Sequence, residues 1–182
     1  MTTASARVEL RGWLEESYAD SVRTAFLLLG NRHDAEDAVQ EAFLRAWKFR
    51  DSLASGKSFR PWLYRVVVNT CNSKLRHDIP RRSIDRYDES SEEVPTRDDE
   101  FERIAASHDL ATAVLDLSLP LRTVIVLRYF AELSEREIAI AINRQPGTVK
   151  SRLNEARRRL ADHPALRQNA DADQPHGSKQ TG

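Results

Sequence analysis

Apolar residues return every three to four positions along most of this chain, and no run of alternating β-branched residues bounded by hairpin signals interrupts them. The pattern predicts a first helix from Leu10 to Leu29, ended near Gly30-Asn31. A second follows, capped by Asp34 with Asp37 in its first turn, and Ala38, Val39, Ala42, Phe43, Ala46 and Trp47 form its core stripe. After a loop from Arg50 to Ser58, Pro61 opens a third helix to about Arg76, with Leu63, Val66, Val67 and Thr70 facing inward. Three helices with Trp and Phe anchors then close a small core. Downstream the same period predicts Glu102 to Leu117 and Leu121 to Phe130, separated at Pro120, which disfavours helical geometry at Leu119. Two short helices complete the set, and the fold class expected is all-α.

The last two helices, Leu133 to Leu160, form a helix-turn-helix pattern. Ser134 with Glu137 three residues on is a capping box, each side chain satisfying an orphan N–H at the helix start. Ile138, Ala139 and Ile142 give that helix its apolar face; Asn143-Arg144-Gln145 makes the break, and Pro146 suits the first position of the next helix. Val149, Leu153, Ala156 and Leu160 line the inner side of this second helix, leaving Lys150, Ser151, Asn154, Arg157 and Arg158 outside. A basic outer face on such a helix suits a DNA major groove, although a solvated surface has the same composition.

Charge favours the first alternative. The chain carries 28 basic and 28 acidic side chains, net zero, yet Arg144 to Arg167 holds seven basic residues against Glu155 and Asp162, a net of +5. From Asp85 to Glu102 nine acids face Arg86 and Arg97, a net of −7. Such segregation is the footprint of nucleic-acid binding. It also divides the chain: a helical domain over residues 8–77, an acidic flexible linker over 78–101, a second helical domain over 102–161, and a polar tail over 162–182 with no apolar period, expected to be disordered. No stretch reaches the length of a membrane span and the N-terminus lacks a charged-then-apolar signal, so a cytoplasmic location is expected. A lone cysteine, Cys71, excludes an internal disulfide and reads as a small buried residue.

Within the third helix Arg65, Asn69, Asn72 and Arg76 share one face, mixing amides that bond base edges with guanidinium groups that pair with phosphate or guanine. Phe59, Trp62 and Tyr64, close to Lys57 and Arg60, offer rings on which an unstacked strand could lie; Trp62 taken alone is better explained as core. On the second helix Asp34, Glu36, Asp37 and Glu41 form an acidic side. It lacks the Glu-x-x-His motifs of a di-metal bundle, so solvation or a protein partner accounts for it better. No nucleophilic triad, Gly-rich phosphate loop or Cys–His pair is visible, and neither enzyme activity nor a cofactor is expected.

Three motifs stand in order: DAEDAVQEAFLRAWKF (Asp34 to Phe49), FRPWLYRVVVNTCNSKLR (Phe59 to Arg76) and PGTVKSRLNEARRRL (Pro146 to Leu160). Together they resemble bacterial sigma factors of the extracytoplasmic-function type, over about Tyr18 to Leu160. The resemblance implies two helical domains, sigma regions 2 and 4, on a flexible tether, binding to core RNA polymerase at the clamp coiled coil of its largest subunit and at the flap, and recognition of the −10 and −35 promoter elements. By position it implies polymerase docking through Asp37, Gln40, Glu41 and Arg45. It assigns −10 contacts to Lys57, Arg60, Trp62, Arg65, Asn69, Asn72 and Arg76, with a flipped base held near the Arg50 to Ser58 loop. It assigns −35 contacts to Arg144, Thr148, Lys150, Ser151, Arg152, Asn154, Glu155, Arg157 and Arg158, the arginines at 152, 157 and 158 on phosphates. Glu155 departs from the pattern, since relatives often place a basic or neutral residue there. An anti-sigma factor is the implied regulator. The acidic linker would thread toward the polymerase cleft, and neutralising Asp98, Asp99 and Glu100 would then alter abortive initiation. Two rivals remain at this point: a stand-alone regulator using only the helix-turn-helix, and a metal enzyme using the acidic helix.

Overall fold

The computed structural model describes residues 3–49, 59–78 and 108–167. Every regular element among them is an α-helix: α1 (Thr3–Leu29), α2 (Arg32–Lys48), α3 (Phe59–Asp78), α4 (His108–Asp116), α5 (Leu119–Tyr129), α6 (Glu135–Ala141) and α7 (Pro146–Ala161). The expected Arg50 to Ser58 loop, most of the acidic linker, residues 102–107 and most of the polar tail lie outside the described residues, and Lys57 with them.

Local chemistry sets the helix ends. The chain turns out of α1 at Gly30, whose φ of +76° favours a residue without Cβ. The cap of α2 is Asn31, not Asp34: its side-chain oxygen accepts from the Asp34 N–H at 2.9 Å. Helix α2 therefore starts at Arg32, and Asp34 contributes negative charge in the first turn instead. Helix α3 starts two residues before Pro61, and α5 starts at Leu119 with Pro120 inside its first turn, where the missing N–H costs nothing. The capping box at Ser134 and Glu137 is formed in both directions. Between α6 and α7, Asn143 takes φ +51°, and the Arg144 N–H donates to the Ala139 carbonyl at 2.9 Å. This is a Schellman turn with asparagine at its left-handed position.

Helices α1, α2 and α3 pack together, as do α5, α6 and α7, and the two groups touch where α3 lies on α6 and α1 on α4 and α5. One continuous apolar core runs through both groups, from Leu27, Val39, Leu63 and Val67 to Val114, Leu127, Ile138 and Leu153. The aromatic anchors expected inside are mostly at its rim. Trp47 is 42% exposed and Trp13 38%; Trp13 packs on Phe59 at 5.2 Å between centroids and Phe59 on Trp62 at 6.5 Å. Alanines at 35, 38, 42 and 46 fill the buried side of α2, so it approaches its neighbours too closely to seat a tryptophan there. Tyr64 takes the place of an anchor: it is buried, with its phenol pushed up to about 12 by desolvation and by Asp20 nearby.

Arg122 of α5 bridges the two groups. Its guanidinium donates to the carbonyls of Leu28 at 2.8 Å, Leu117 at 3.1 Å and Leu115. A cation is thereby held against the negative C-terminal ends of α1 and α4 together. Burial lowers its pKa, against the opposing field of Asp116.

Candidate nucleic-acid interface

Helix α7 presents the clearest candidate surface. Val149, Leu153 and Ala156 are buried against the core, with Leu160 half-buried, so helical geometry turns the remaining positions outward. Lys150, Ser151, Asn154, Arg157 and Arg158 are exposed, as is Arg144 in the turn. Thr148, Arg152 and Glu155 are half-buried. The Ser151 hydroxyl donates back to the Thr148 carbonyl at 3.0 Å, which leaves its oxygen free to accept. Glu155 does not project alone. Its carboxylate accepts from Arg158 at 2.8 and 2.9 Å and from Arg159 at 2.8 Å, and these bonds hold its pKa below the usual carboxylate range. The acid is thus compensated within its own helix.

On α3, Arg60, Arg65, Asn69 and Arg76 are exposed while Trp62 and Asn72 are half-buried. The packing of α6 on α3 therefore leaves most of the polar stripe open. Asn72 is the exception, since its amide oxygen is shielded from solvent and accepts no hydrogen bond. Tyr64 does not belong to this surface at all, because it is sealed in the core beneath it. Phe59 and Trp62 remain beside Arg60 as a partly open aromatic edge.

A third surface lies on α2. Gln40, Glu41 and Arg45 are exposed, and Glu41 and Arg45 are ion-paired one turn apart. Asp37 is tied to α3, 3.5 Å from Lys74, and lies 3.9 Å from His33. The sequence reading overlooked Leu44, the most open large apolar residue among the described residues at 72% exposure, which with Trp47 and Phe49 makes this surface partly apolar. The signal was present in the sequence: Gln40, Leu44 and Trp47 are spaced i, i+4, i+7, opposite the buried alanines. Among the described residues no cluster of His, Cys, Asp and Glu could hold a metal ion, and no helix is long and apolar enough to cross a membrane.

Two sigma-70 families match this chain, the region 2 family over residues 14–78 and the region 4 family over 107–160. These define a bacterial transcription factor of the sigma-70 class. The chain is 33% identical to the ECF RNA polymerase sigma factor SigW of Bacillus subtilis, covering 79% of this chain and 82% of that one. It is 32% identical to the ECF sigma factor SigL of Mycobacterium tuberculosis, over 83% and 86% of the two chains. It belongs to the ECF RNA polymerase sigma factors. The fold is similar to that of CnrH in complex with the cytosolic domain of CnrY (TM-score 0.67, 22% identity, covering 94% of this chain and 96% of that one). It is also similar to the sigma factor RpoE in complex with the anti-sigma factor NepR from Bartonella quintana (TM-score 0.62, 24% identity, 86% and 98%).

Proposed function

We propose that this chain is the specificity subunit of a bacterial RNA polymerase, bound to the core enzyme through the exposed side of α2 and directing it to promoters through α3 and α7. The observation that carries this reading is the coexistence of three separate open surfaces on one small all-helical chain. They are an apolar-and-charged one on α2, an amide-and-arginine stripe on α3, and a basic face on α7 backed by a helix-turn-helix. A stand-alone DNA-binding regulator would use only the last of these. In this assignment residues 8–77 hold polymerase and the −10 element and residues 102–161 the −35 element, with residues 78–101 as the tether and 162–182 as a tail.

Roles divide by chemistry. Gln40, Glu41, Leu44 and Arg45 meet the clamp coiled coil of the largest polymerase subunit, and Asp37 fixes α2 on α3 through Lys74. Arg65, Asn69 and Arg76 meet the −10 strand, with Arg60, Trp62 and Lys57 beside it. Lys150, Ser151 and Asn154 reach base edges at −35, while Arg144, Arg152, Arg157 and Arg158 meet phosphates. The chemistry of initiation belongs to the polymerase. We extend to this chain control by an anti-sigma factor, the kind of partner with which the Bartonella quintana neighbour is complexed.

In vitro transcription with purified core polymerase on genomic fragments of the source bacterium tests the reading. Promoter-dependent transcripts that vanish with L44D or K150A are the expected result. A chain that binds duplex DNA tightly alone and never supports initiation would refute it.

A further inference from the structure

Tyr129 closes α5 and is 54% exposed. It faces α7. The Arg157 Nε–H donates to its hydroxyl oxygen at 2.9 Å, and the guanidinium carbon lies 5.8 Å from the ring centroid. The same guanidinium donates through Nη1 to the Asn154 side-chain oxygen at 3.3 Å. A chain of contacts thus runs from α5 across to the outer face of α7, ending on a residue placed to meet a base.

We infer that Tyr129 is a positioning residue of the DNA-reading face, fixing Arg157 and, through it, the orientation of the Asn154 amide. This deepens the proposed −35 role of α7 and rests on it. An unengaged asparagine offers an acceptor and two donors and pairs in bidentate fashion with adenine N6 and N7. Here one lone pair of the amide oxygen accepts from Arg157 and the other stays open, so the bond fixes which way the amide faces without removing its acceptor. The hydroxyl of Tyr129 accepts from Arg157 and keeps its own proton, and the other guanidinium N–H groups remain for a phosphate. Position 154 of this chain therefore meets a base edge with its amide held in one orientation.

The test uses full-length protein in reconstituted holoenzyme, incubated with duplexes randomised across the −35 element and sequenced after selection. The position read by Asn154 is the one whose preference N154A flattens. Wild type is expected to select one base there over the others. Y129F, which removes one exposed hydroxyl and leaves the melting temperature unchanged, is expected to cut that preference by roughly 3- to 10-fold, the range of one hydrogen bond. R157A lowers the salt slope of binding by about one, as loss of a phosphate contact does. Y129F added to R157A costs nothing further, because both act through one contact. An unchanged preference in Y129F, or additive effects of Y129F and R157A, overturns the inference while leaving the promoter reading standing. A pool that wild-type holoenzyme fails to enrich, and that K150A does not alter, overturns the promoter reading and this inference together.

Discussion

Glu155 is the single acid of α7, and its carboxylate is divided between Arg158 and Arg159. Its presence on a basic face looked like a conflict in the sequence because a linear reading cannot tell an acid aimed at phosphate from one that restrains its neighbours. E155Q is expected to release both arginines. Affinity for a random duplex should rise about 3-fold or more, and its salt dependence should steepen by about one counterion. Fluorescence anisotropy across a salt series measures both, and unchanged slopes would contradict the ion-paired geometry. Cys71 shows the opposite outcome, where the sequence reading was sufficient. A thiol on the valine-rich side of a helix is buried wherever that side packs, and desolvation pushes its pKa up to about 12. Native protein at neutral pH should therefore leave Ellman's reagent unreacted until it unfolds.

At the scale of elements, end signals written in adjacent residues were legible and those that depend on competition were not. The Ser134–Glu137 box forms as its spacing requires. Its carboxyl pKa is lowered chiefly by the bonds from Ser134. Such a group stabilises the fold fully above the ordinary carboxylate range of about 4 to 4.5, and that contribution is lost as pH falls through its lowered folded value. E137Q should accordingly lower the melting temperature at pH 7, and the gap to wild type should close toward pH 3 in calorimetry. S134A should cost about 1 kcal/mol at pH 7. At α2 two capping residues lay within reach, and Asn31 displaced Asp34 because Gly30 supplies the left-handed turn that brings residue 31 into the cap position. Arg122 gave no sequence signal. Its partners are carbonyls, one of them 94 positions away. R122M leaves those carbonyls without a donor and should cost about 2–3 kcal/mol in urea unfolding at pH 7.

For the whole molecule, the packed arrangement and the proposed double reading of a promoter exclude each other. Elements named for positions −35 and −10 lie about 25 base pairs apart, or ~85 Å along B-form DNA at 3.4 Å per pair. A packed chain of this length spans only about 40 Å. With α3 resting on α6 and Arg122 holding α1 to α4, α3 and α7 cannot reach both elements at once. The proposed engagement of polymerase and promoter therefore requires the two helical groups to separate. Dyes on E16C and A161C, with Cys71 buried and unreactive, should report high energy transfer in the free protein and low transfer in the promoter complex. Equal transfer in both states would show that the contact between the groups persists.

The sequence alone determined what depends on near neighbours: the helical period, the capping box, the buried alanine and valine sides, the charged outer face of α7 and the three ordered motifs. Each follows from spacing, since a helix brings residues three and four apart together whatever surrounds it. Tertiary structure alone decided which aromatic rings are inside, that Asn72 is half-shielded, and that Arg122 joins two helix ends. It also decided the state of the outer face of α7, with which the basic pattern first drew attention to DNA. There Glu155 is compensated and Asn154 is engaged by an arginine held from α5. These depend on groups distant in sequence meeting at hydrogen-bonding range, and no local pattern encodes such meetings.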